Sequence, residues 1–233
     1  MSQAVLMATP HELEDFALGF ALTEGLVASV ADVVQTEIAP VKPPAQFPGL
    51  PAYEARLWLR PGLAAALSDR RRSMVGPVGC GLCGVDSIAA ALPRVVPVDA
   101  GLTLRPADIL AAMRALTAGQ IRWRETPAIH GAAFWSPRHT LVREDVGRHN
   151  ALDKLAGALA RAQVIPQGAV AMTSRLSVDL VQKTARIGAP VLIGAGVPTG
   201  LATAWAEAAC ITLIGRARDD SFDIFTHPQR IQD

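Results

Sequence analysis

The sequence predicts an α/β fold in which helices cover both faces of a sheet. From about residue 100 onward, short apolar segments alternate with amphipathic segments of about 10 to 13 residues, the rhythm of strands connected by helices. The chain of 233 residues is also 50% apolar, which is enough to build a substantial core. A Pro-containing connection at residues 93–99 predicts a boundary between a smaller N-terminal α+β domain, residues 1–99, and an α/β domain, residues 100–233.

The first part of the chain carries one clear helix signal. Residues 4–8 are apolar and predict a buried strand. Thr9 and Glu12 then have the spacing of a capping box, which predicts a helix start, and Gly25 is a natural helix end. The other predictions here are a Pro-rich loop at residues 39–51, a strand at 53–59 and short helices at 64–72 and 86–92.

The second part is predicted from apolar runs for the strands and from apolar residues at helical spacing for the helices. In the first of these helices, Ile109, Leu110, Met113 and Leu116 form the apolar face. The predicted helices cover residues 106–117, 150–162, 177–187 and 199–210, and the predicted strands cover residues 129–135, 139–144, 169–173, 191–194, 211–215 and 222–225.

Charge and hydropathy exclude several partners. With 22 basic and 21 acidic residues, the formal charge of +1 provides no general attraction to nucleic acid or to an anionic membrane. The chain has neither a secretion signal nor an uncharged apolar run of about 18 residues or more. We therefore expect a cytoplasmic protein that binds no nucleic acid and no membrane, and any anionic ligand must be held by a local site.

A glycine-rich loop at residues 79–84 contains Cys80 and Cys83, two of the three cysteines in the chain. Two thiols at this spacing can exchange a sulfur atom, a proton or an electron pair, and the surrounding glycines let a large group approach them. Half of a structural zinc site, a structural disulfide and a thioredoxin-type redox pair are the alternatives. Cys210 is the only other cysteine in the sequence, too few to complete a structural zinc site with four ligands. Nucleophilic sulfur chemistry is therefore the favoured interpretation.

Polar residues gather in four segments, each after a predicted strand. Such positions attract anions, because the first N–H groups of a helix have no intrahelical partner. Each segment taken alone is compatible with an ordinary helix cap or a surface, but four at equivalent positions predict a cleft for a sizeable anion such as a nucleotide. No Walker or Rossmann glycine pattern is present. The candidate residues are Arg148, His149 and Asn150 in the first segment; Ser174 and Arg175, followed by Lys183, in the second; Thr199 and Gly200 in the third; and Arg216, Ala217, Arg218, Asp219, Asp220 and Ser221 in the fourth.

Together these motifs resemble the FdhD family of formate dehydrogenase accessory sulfurtransferases. The matching segments, in chain order, are the Gly-Cys-Gly-Leu-Cys-Gly loop, residues 144–154, residues 174–175 with residues 181–183, and residues 226–230. Members usually carry a strand-forming segment upstream of the position of Val5, so the resemblance implies that the first domain is shortened here.

The resemblance implies a sulfurtransferase that receives sulfur from a cysteine desulfurase as a persulfide on Cys80, assisted by Cys83. The sulfur would pass to Mo-bis(molybdopterin guanine dinucleotide), which formate dehydrogenase needs in sulfurated form and which is bound here as a substrate. Residues 216–221 would contact this cofactor. The resemblance also implies a homodimer, no permanently bound metal and a cytidine deaminase-like second domain.

Two other functions are compatible with these features. A non-catalytic chaperone would keep the cleft and bind the molybdenum cofactor, and its cysteines would be incidental. A zinc-dependent nucleobase deaminase-like hydrolase would need His-x-Glu at one helix start and Pro-Cys-x-x-Cys at the next. The corresponding positions carry Arg148-His149-Asn150 and Ser174-Arg175-Leu176-Ser177, so we expect the fold without deaminase chemistry.

Overall fold

The computed structural model describes residues 4–63, 94–98, 101–218 and 220–233, and these residues form two sheets and five α-helices. The helices are α1 (Leu13–Thr23), α2 (Pro106–Gly119), α3 (Arg148–Arg161), α4 (Val178–Ile187) and α5 (Gly200–Ala208). The strands are β1 (Val33–Pro40), β2 (Tyr53–Leu59), β3 (His130–Trp135), β4 (Thr140–Asp145), β5 (Ala169–Met172), β6 (Val191–Gly194), β7 (Thr212–Gly215) and β8 (Asp223–Ile224). None of the helices in these ranges is long and apolar enough to cross a membrane.

The larger sheet has six strands in the order β4-β3-β5-β6-β7-β8. Strand β3 is antiparallel to both of its neighbours, and β5, β6 and β7 are parallel to one another. Strands β4, β5, β6 and β7 therefore all point the same way, and their carboxyl ends lie at one edge of the sheet. The predicted α/β fold is confirmed.

Helices cover this sheet on both faces because its strand residues alternate between two buried clusters. Phe134, Met172 and Leu192 face the cluster formed with α3, α4 and α5. Ala133 and Ile193 face the other way, against α2. Strands β5, β6 and β7 are short and fully buried, which is why their residues do not alternate between apolar and charged.

Helix α1 packs closely against α3 through two glycines. A Cβ atom at Gly19 would lie 1.6 Å from the carbonyl oxygen of Asp153, and one at Gly157 would lie 1.9 Å from the carbonyl oxygen of Asp15. Only hydrogen fits at either position, so the two backbones touch. Helix α1 lies before the predicted boundary at residues 93–99 and α3 lies after it, and that boundary stays a prediction.

A two-stranded antiparallel sheet, β1 with β2, packs against the end of α1. The alternating pattern of residues 53–59 predicted β2 correctly. Strand β1 was not predicted, and it extends to Pro40, inside the segment expected to be a loop. Its residues are half-buried at most, so its sequence shows neither a continuous apolar run nor strict alternation.

Two predictions for the N-terminal segment are wrong. The apolar residues 4–8 form no strand, and Val5 is 93% exposed. The helix begins at Leu13, after Glu12 in a left-handed conformation, and not at a capping box. The Thr9 hydroxyl accepts a hydrogen bond from the N–H of Val146 at 3.0 Å, so it is used in a tertiary contact and does not cap the helix.

Three predicted features lie outside the described residues. They are the helices over residues 64–72 and 86–92 and the loop with Cys80 and Cys83.

Candidate functional site

The four predicted polar segments meet at the carboxyl edge of the six-stranded sheet. They follow β4, β5, β6 and β7, and those four strands end at this edge. Parallel strands joined by covering helices place their following loops side by side, which is where ligands bind in open α/β sheets. The structure thus places the predicted segments along one edge.

Backbone hydrogen bonds tie three of these segments together. The N–H of Gly196 donates to the carbonyl of Ser174 at 3.2 Å. The N–H groups of Arg216 and Ala217 donate to the carbonyls of Gly196 and Gly194 at 3.0 and 3.1 Å. The loops after β5, β6 and β7 therefore form one continuous surface.

The segment after β7 presents its arginines at this surface. Arg216 has a left-handed backbone with φ of 50°, and its guanidinium pairs with Asp223 on β8. Ala217 is buried, whereas Arg218 is exposed and its N–H donates to the carbonyl of Ser221 at 2.9 Å. Asp220 and Ser221 are exposed, and Asp219 lies outside the described residues.

The segment after β6 has two structural roles. Thr199 caps α5, since its hydroxyl accepts a hydrogen bond from the N–H of Ala202 at 3.2 Å. Gly196 lies so close to the next loop that a Cβ atom there would be 2.9 Å from the Cα of Arg175, but a Cβ atom at Gly200 would meet nothing within 4 Å. Gly196 is therefore required by packing, and Gly200 is open to a ligand.

In the segment after β5, Ser174 is buried and Arg175 is exposed. The Ser174 hydroxyl donates to the carbonyl of Arg175 at 2.9 Å, which holds the turn that presents the arginine. Arg175 and Arg218 are thus exposed cations on the two loops that flank the segment after β6, whereas the exposed Arg216 is paired with Asp223.

A buried ion pair anchors the segment after β4. Lys154 is fully buried and its Nζ lies 2.7 Å from Asp145 Oδ2. Asp145 also accepts hydrogen bonds from the N–H of Thr9 at 2.9 Å and from Asn150 Nδ2 at 3.0 Å, and Asn150 donates to the carbonyl of Met7 at 2.8 Å. Lys154 therefore lies in the core, and the Asn150 amide holds residues 7–9 against the start of α3.

Lys183 is also buried, and the interpretation that groups it with the ligand-facing residues is wrong. Its Nζ lies 2.8 Å from Asp153 Oδ1 and 2.6 Å from Glu24 Oε1, and it donates to the Thr23 hydroxyl at 3.0 Å. Burial alone would lower the pKa of Lys183, but Asp153 and Glu24 outweigh burial and raise it. This network joins α1, α3 and α4, with the Lys183 ammonium 5.7 Å from the centre of the Phe20 ring.

His149 lies at the edge, in the first turn of α3, and its Nε2 faces the carboxylate of Asp179 in the first turn of α4. Arg148 precedes it. His130, at the start of β3, lies nearby with its Nδ1 3.3 Å from the Thr173 hydroxyl. Burial lowers the pKa of His130, and the charges of Arg148 and His149 lower it further.

Sequence reasoning missed His130 and Asp179. His130 begins a strand that runs away from this edge, so only the antiparallel register with Asp145 brings it here. In the sequence, Asp179 looks like any acidic residue in the first turn of a helix, two positions after Ser177. Nothing in a single sequence marks either of them, although the position of Asp179 one turn after the polar residues 173–177 is a weak signal.

Cys80 and Cys83, the residues of the predicted sulfur chemistry, lie outside the described residues. Within the part of the chain that is described, Cys210 is a half-buried free thiol. No group of three or more His, Cys, Asp or Glu side chains in that part could hold a metal ion. Among the described residues, the edge presents the exposed guanidinium groups of Arg175 and Arg218, which can bind an anion.

Comparison with known proteins places this geometry in a family. Residues 1–232 match the model of the FdhD/NarQ family. The chain is 48% identical over 235 residues to the sulfur carrier protein FdhD of Agrobacterium fabrum, covering 99% of this chain and 83% of that protein. It is 45% identical to the sulfur carrier protein FdhD of Cupriavidus necator, covering 100% of this chain and 79% of that protein.

A solved structure is also similar. The crystal structure of a formate dehydrogenase accessory protein from Desulfotalea psychrophila superposes with a TM-score of 0.72 at 26% identity, covering 97% of this chain and 82% of that one. The resemblance drawn from the cysteine loop and the strand-end motifs is confirmed. The chain belongs to the FdhD/NarQ family.

Proposed function

We propose that this protein carries sulfur from a cysteine desulfurase to the molybdenum cofactor of formate dehydrogenase. Its relatives are named sulfur carrier proteins, and the similar solved structure is described as a formate dehydrogenase accessory protein. In this proposal Cys80 attacks the sulfur held by the desulfurase and becomes a persulfide, and Cys83 assists. The persulfide then gives its terminal sulfur to Mo-bis(molybdopterin guanine dinucleotide), bound as a substrate.

The observation that supports cofactor binding is the joined surface at the carboxyl edge of the sheet. The cofactor carries phosphates and guanines, which need cations and peptide N–H groups. Arg175 and Arg218 present exposed guanidinium groups there, on loops linked through backbone hydrogen bonds to the Gly196 loop. Gly200, at the start of α5, leaves space for a bulky group to approach.

Persulfide formation tests the role of Cys80. After incubation with a cysteine desulfurase and cysteine, we expect the peptide that contains Cys80 to gain the mass of about one sulfur atom. A Cys80→Ser variant should lose this gain, the thiocyanate released by cyanolysis and the activation of formate dehydrogenase. Cys210→Ser is the matched control, since it removes the half-buried thiol at the end of α5 and should leave all three unchanged.

A Cys80→Ser protein that still activates sulfur-free formate dehydrogenase would contradict the carrier role. It would favour the alternative, a chaperone that binds the cofactor and delivers it without covalent sulfur chemistry.

Cofactor binding is tested with GDP, which has the guanosine and diphosphate of the cofactor's nucleotide ends. Removing one exposed phosphate contact by Arg218→Ala should weaken GDP binding about tenfold, measured by calorimetry. Arg138→Ala, on the exposed turn between β3 and β4, is the control and should bind GDP normally. Equal affinities for the two variants would exclude Arg218 from the site.

The proposal has three further parts: the fold of the second domain, the place in the cell and the oligomeric state. An antiparallel pair, β4 with β3, followed by the parallel strands β5, β6 and β7, supports a cytidine deaminase-like fold for the second domain. We also propose that the protein acts in the cytoplasm and as a homodimer.

A further inference from the structure

His130 lies at the carboxyl edge of the six-stranded sheet, between two of the polar segments. It begins β3, and its partner in the antiparallel register is Asp145, the last residue of β4. On the other side, the N–H of Thr173 donates to the carbonyl of Gly131 at 3.1 Å, and the N–H of Gly131 donates to the Thr173 hydroxyl at 3.0 Å. The start of β3 therefore connects the segment after β4 with the segment after β5.

One nitrogen of the His130 ring is held by this connection. Nδ1 lies 3.3 Å from the Thr173 hydroxyl. A hydroxyl group has one proton to donate and two lone pairs, of which the N–H of Gly131 uses one. The hydroxyl can donate to Nδ1 of a neutral ring or accept from Nδ1 of a charged ring, so the ring can change its charge without losing this partner. Within the described ranges Nε2 has no protein partner and the side chain is only partly buried, so Nε2 is available to a ligand.

The surroundings of the ring repel a further positive charge. Arg148 and His149, in the first turn of α3, both act on His130 through their charges. The carboxylate of Asp145 on β4 is paired with a buried lysine, and that of Asp179 on α4 faces His149. The partial positive charge of the start of α3 adds to these cations. A proton on His130 is therefore disfavoured in the free protein, and a bound anion would offset the repulsion.

The pKa of His130 reflects these surroundings. Burial lowers it, and the charges of Arg148 and His149 lower it further. The ring is therefore mostly uncharged at neutral pH. A phosphate oxygen at Nε2 stabilises the charged form of the ring, so its arrival should raise the pKa. The ring then forms a charge-assisted hydrogen bond at the moment of binding, and before binding it carries no unpaired charge.

We propose that His130 is a phosphate-binding residue of the carboxyl edge and that it takes up a proton when the nucleotide end of the cofactor binds. This inference rests on the proposed sulfur carrier function, because that function supplies the guanine dinucleotide. The binding surface of Arg175 and Arg218 then extends across β3 to the start of α3. Binding should be tighter at low pH, since the contribution of His130 is complete below its pKa in the free protein and is lost as the pH rises through its pKa in the complex.

The probe is GDP-mannose, because its diphosphate is a diester, as in the cofactor, and keeps a constant charge between about pH 5.5 and pH 8. Calorimetry in two buffers of different ionisation enthalpy measures its affinity and the number of protons taken up on binding. At about pH 6.5 the wild-type protein should take up roughly half a proton or more per bound molecule. Its affinity should be about tenfold higher at the low end of this pH range than at the high end.

His130→Gln keeps a polar side chain next to the Thr173 hydroxyl but cannot take up a proton. This variant should bind GDP-mannose with almost no proton uptake and with an affinity that is nearly constant over the same pH range. His139→Gln is the matched control, since it makes the same substitution on the exposed turn between β3 and β4. It should match the wild type in affinity and in proton uptake.

A second measurement uses the wild-type protein alone. The chain has five histidines, so the assigned ring signal of His130 can be followed by NMR as the pH is changed. In the free protein this signal should titrate below the ordinary pKa of histidine. With GDP-mannose bound, it should titrate at a higher pH than in the free protein.

The outcomes distinguish this inference from the function on which it rests. Proton uptake by His130→Gln equal to that of the wild type, or a His130 signal that titrates at the same pH with and without the probe, overturns the inference alone. If the wild-type protein does not bind GDP-mannose, cofactor binding in the proposed function fails, and this inference fails with it.

Discussion

Replacing Lys183 with methionine should lower the free energy of unfolding by about 3–5 kcal/mol, because it leaves the buried Asp153 carboxylate without its cation. The lysine also contacts Glu24 and Thr23, so α1 loses its polar link to α4. Urea unfolding at pH 8, followed by circular dichroism, measures the loss. The double variant Lys183→Met/Asp153→Leu should recover much of it, since it removes both buried charges.

The destabilisation caused by Lys183→Met should depend on pH in a definite direction. Because the pKa of Lys183 is raised in the folded state, the stability from its charge is complete below its ordinary pKa and is lost as the pH rises through the raised one. Burial raises the pKa of Asp153, and methionine at position 183 removes the charge that opposes this effect. The folded variant should then take up a proton at Asp153 more readily than the unfolded chain, so the destabilisation should be smaller at pH 5 than at pH 8. An equal loss at both pH values would contradict the buried pair.

Replacing Gly157 with alanine should destabilise the protein by about 3 kcal/mol, since the added methyl group would sit 1.9 Å from the Asp15 carbonyl oxygen of α1. The backbone of α1 cannot move aside as a flexible side chain can, so α1 and α3 must separate. For a chain of this size the loss corresponds to a fall of about 10 °C in the melting temperature, measured by calorimetry.

Gly200→Ala is the matched control for this variant. It also adds one methyl group to a helix, but at a position where nothing lies within 4 Å. Alanine there should change stability by less than about 1 kcal/mol. If the two variants melt at the same temperature, the close contact between α1 and α3 does not exist in solution.

Much of the structure of residues 101–218 and 220–233 could be predicted because its helices and strands are strongly patterned. Strands such as β5 and β6 are fully buried and read as short apolar runs, and α4 ends at Gly188, which has a left-handed φ of 83°. Each of these signals is local in the chain, so a single sequence contains it. The predicted and observed ends of these elements differ by at most two residues.

The N-terminal segment could not be predicted because tertiary contacts decide it. Thr9 has the local pattern of a helix cap, but its hydroxyl and its N–H bond to the segment after β4. Strand β1 depends on pairing with β2, and neither its burial nor its composition is distinctive. At Thr9, local propensity competes with contacts to residues more than a hundred positions away.

For the site, sequence identified the strand-end segments but not what each polar residue does. Arg175 and Arg218 are exposed as a binding surface requires, whereas Lys154 and Lys183 are buried with carboxylate partners. A lysine near a strand end looks the same in sequence whether it faces a ligand or a carboxylate of the core. Burial of a charge is decided by a distant partner, and that partner cannot be read from one chain.

The order of charges along α3 and α4 selects one alignment of the two helices. Along α3 the charges run from His149 to Asp153, and along α4 they run in the opposite sense, from Asp179 to Lys183. Both helices lead away from the same edge of the sheet, so they run in the same direction. A shift of one helix by a single turn would bring Asp153 opposite Asp179, where the two carboxylates would repel each other across an interface with little water, or would bring Lys183 opposite His149, which offers it no carboxylate. The arrangement that keeps both helix starts level at the edge of the sheet is therefore also the one in which Asp179 faces His149 and Asp153 faces Lys183.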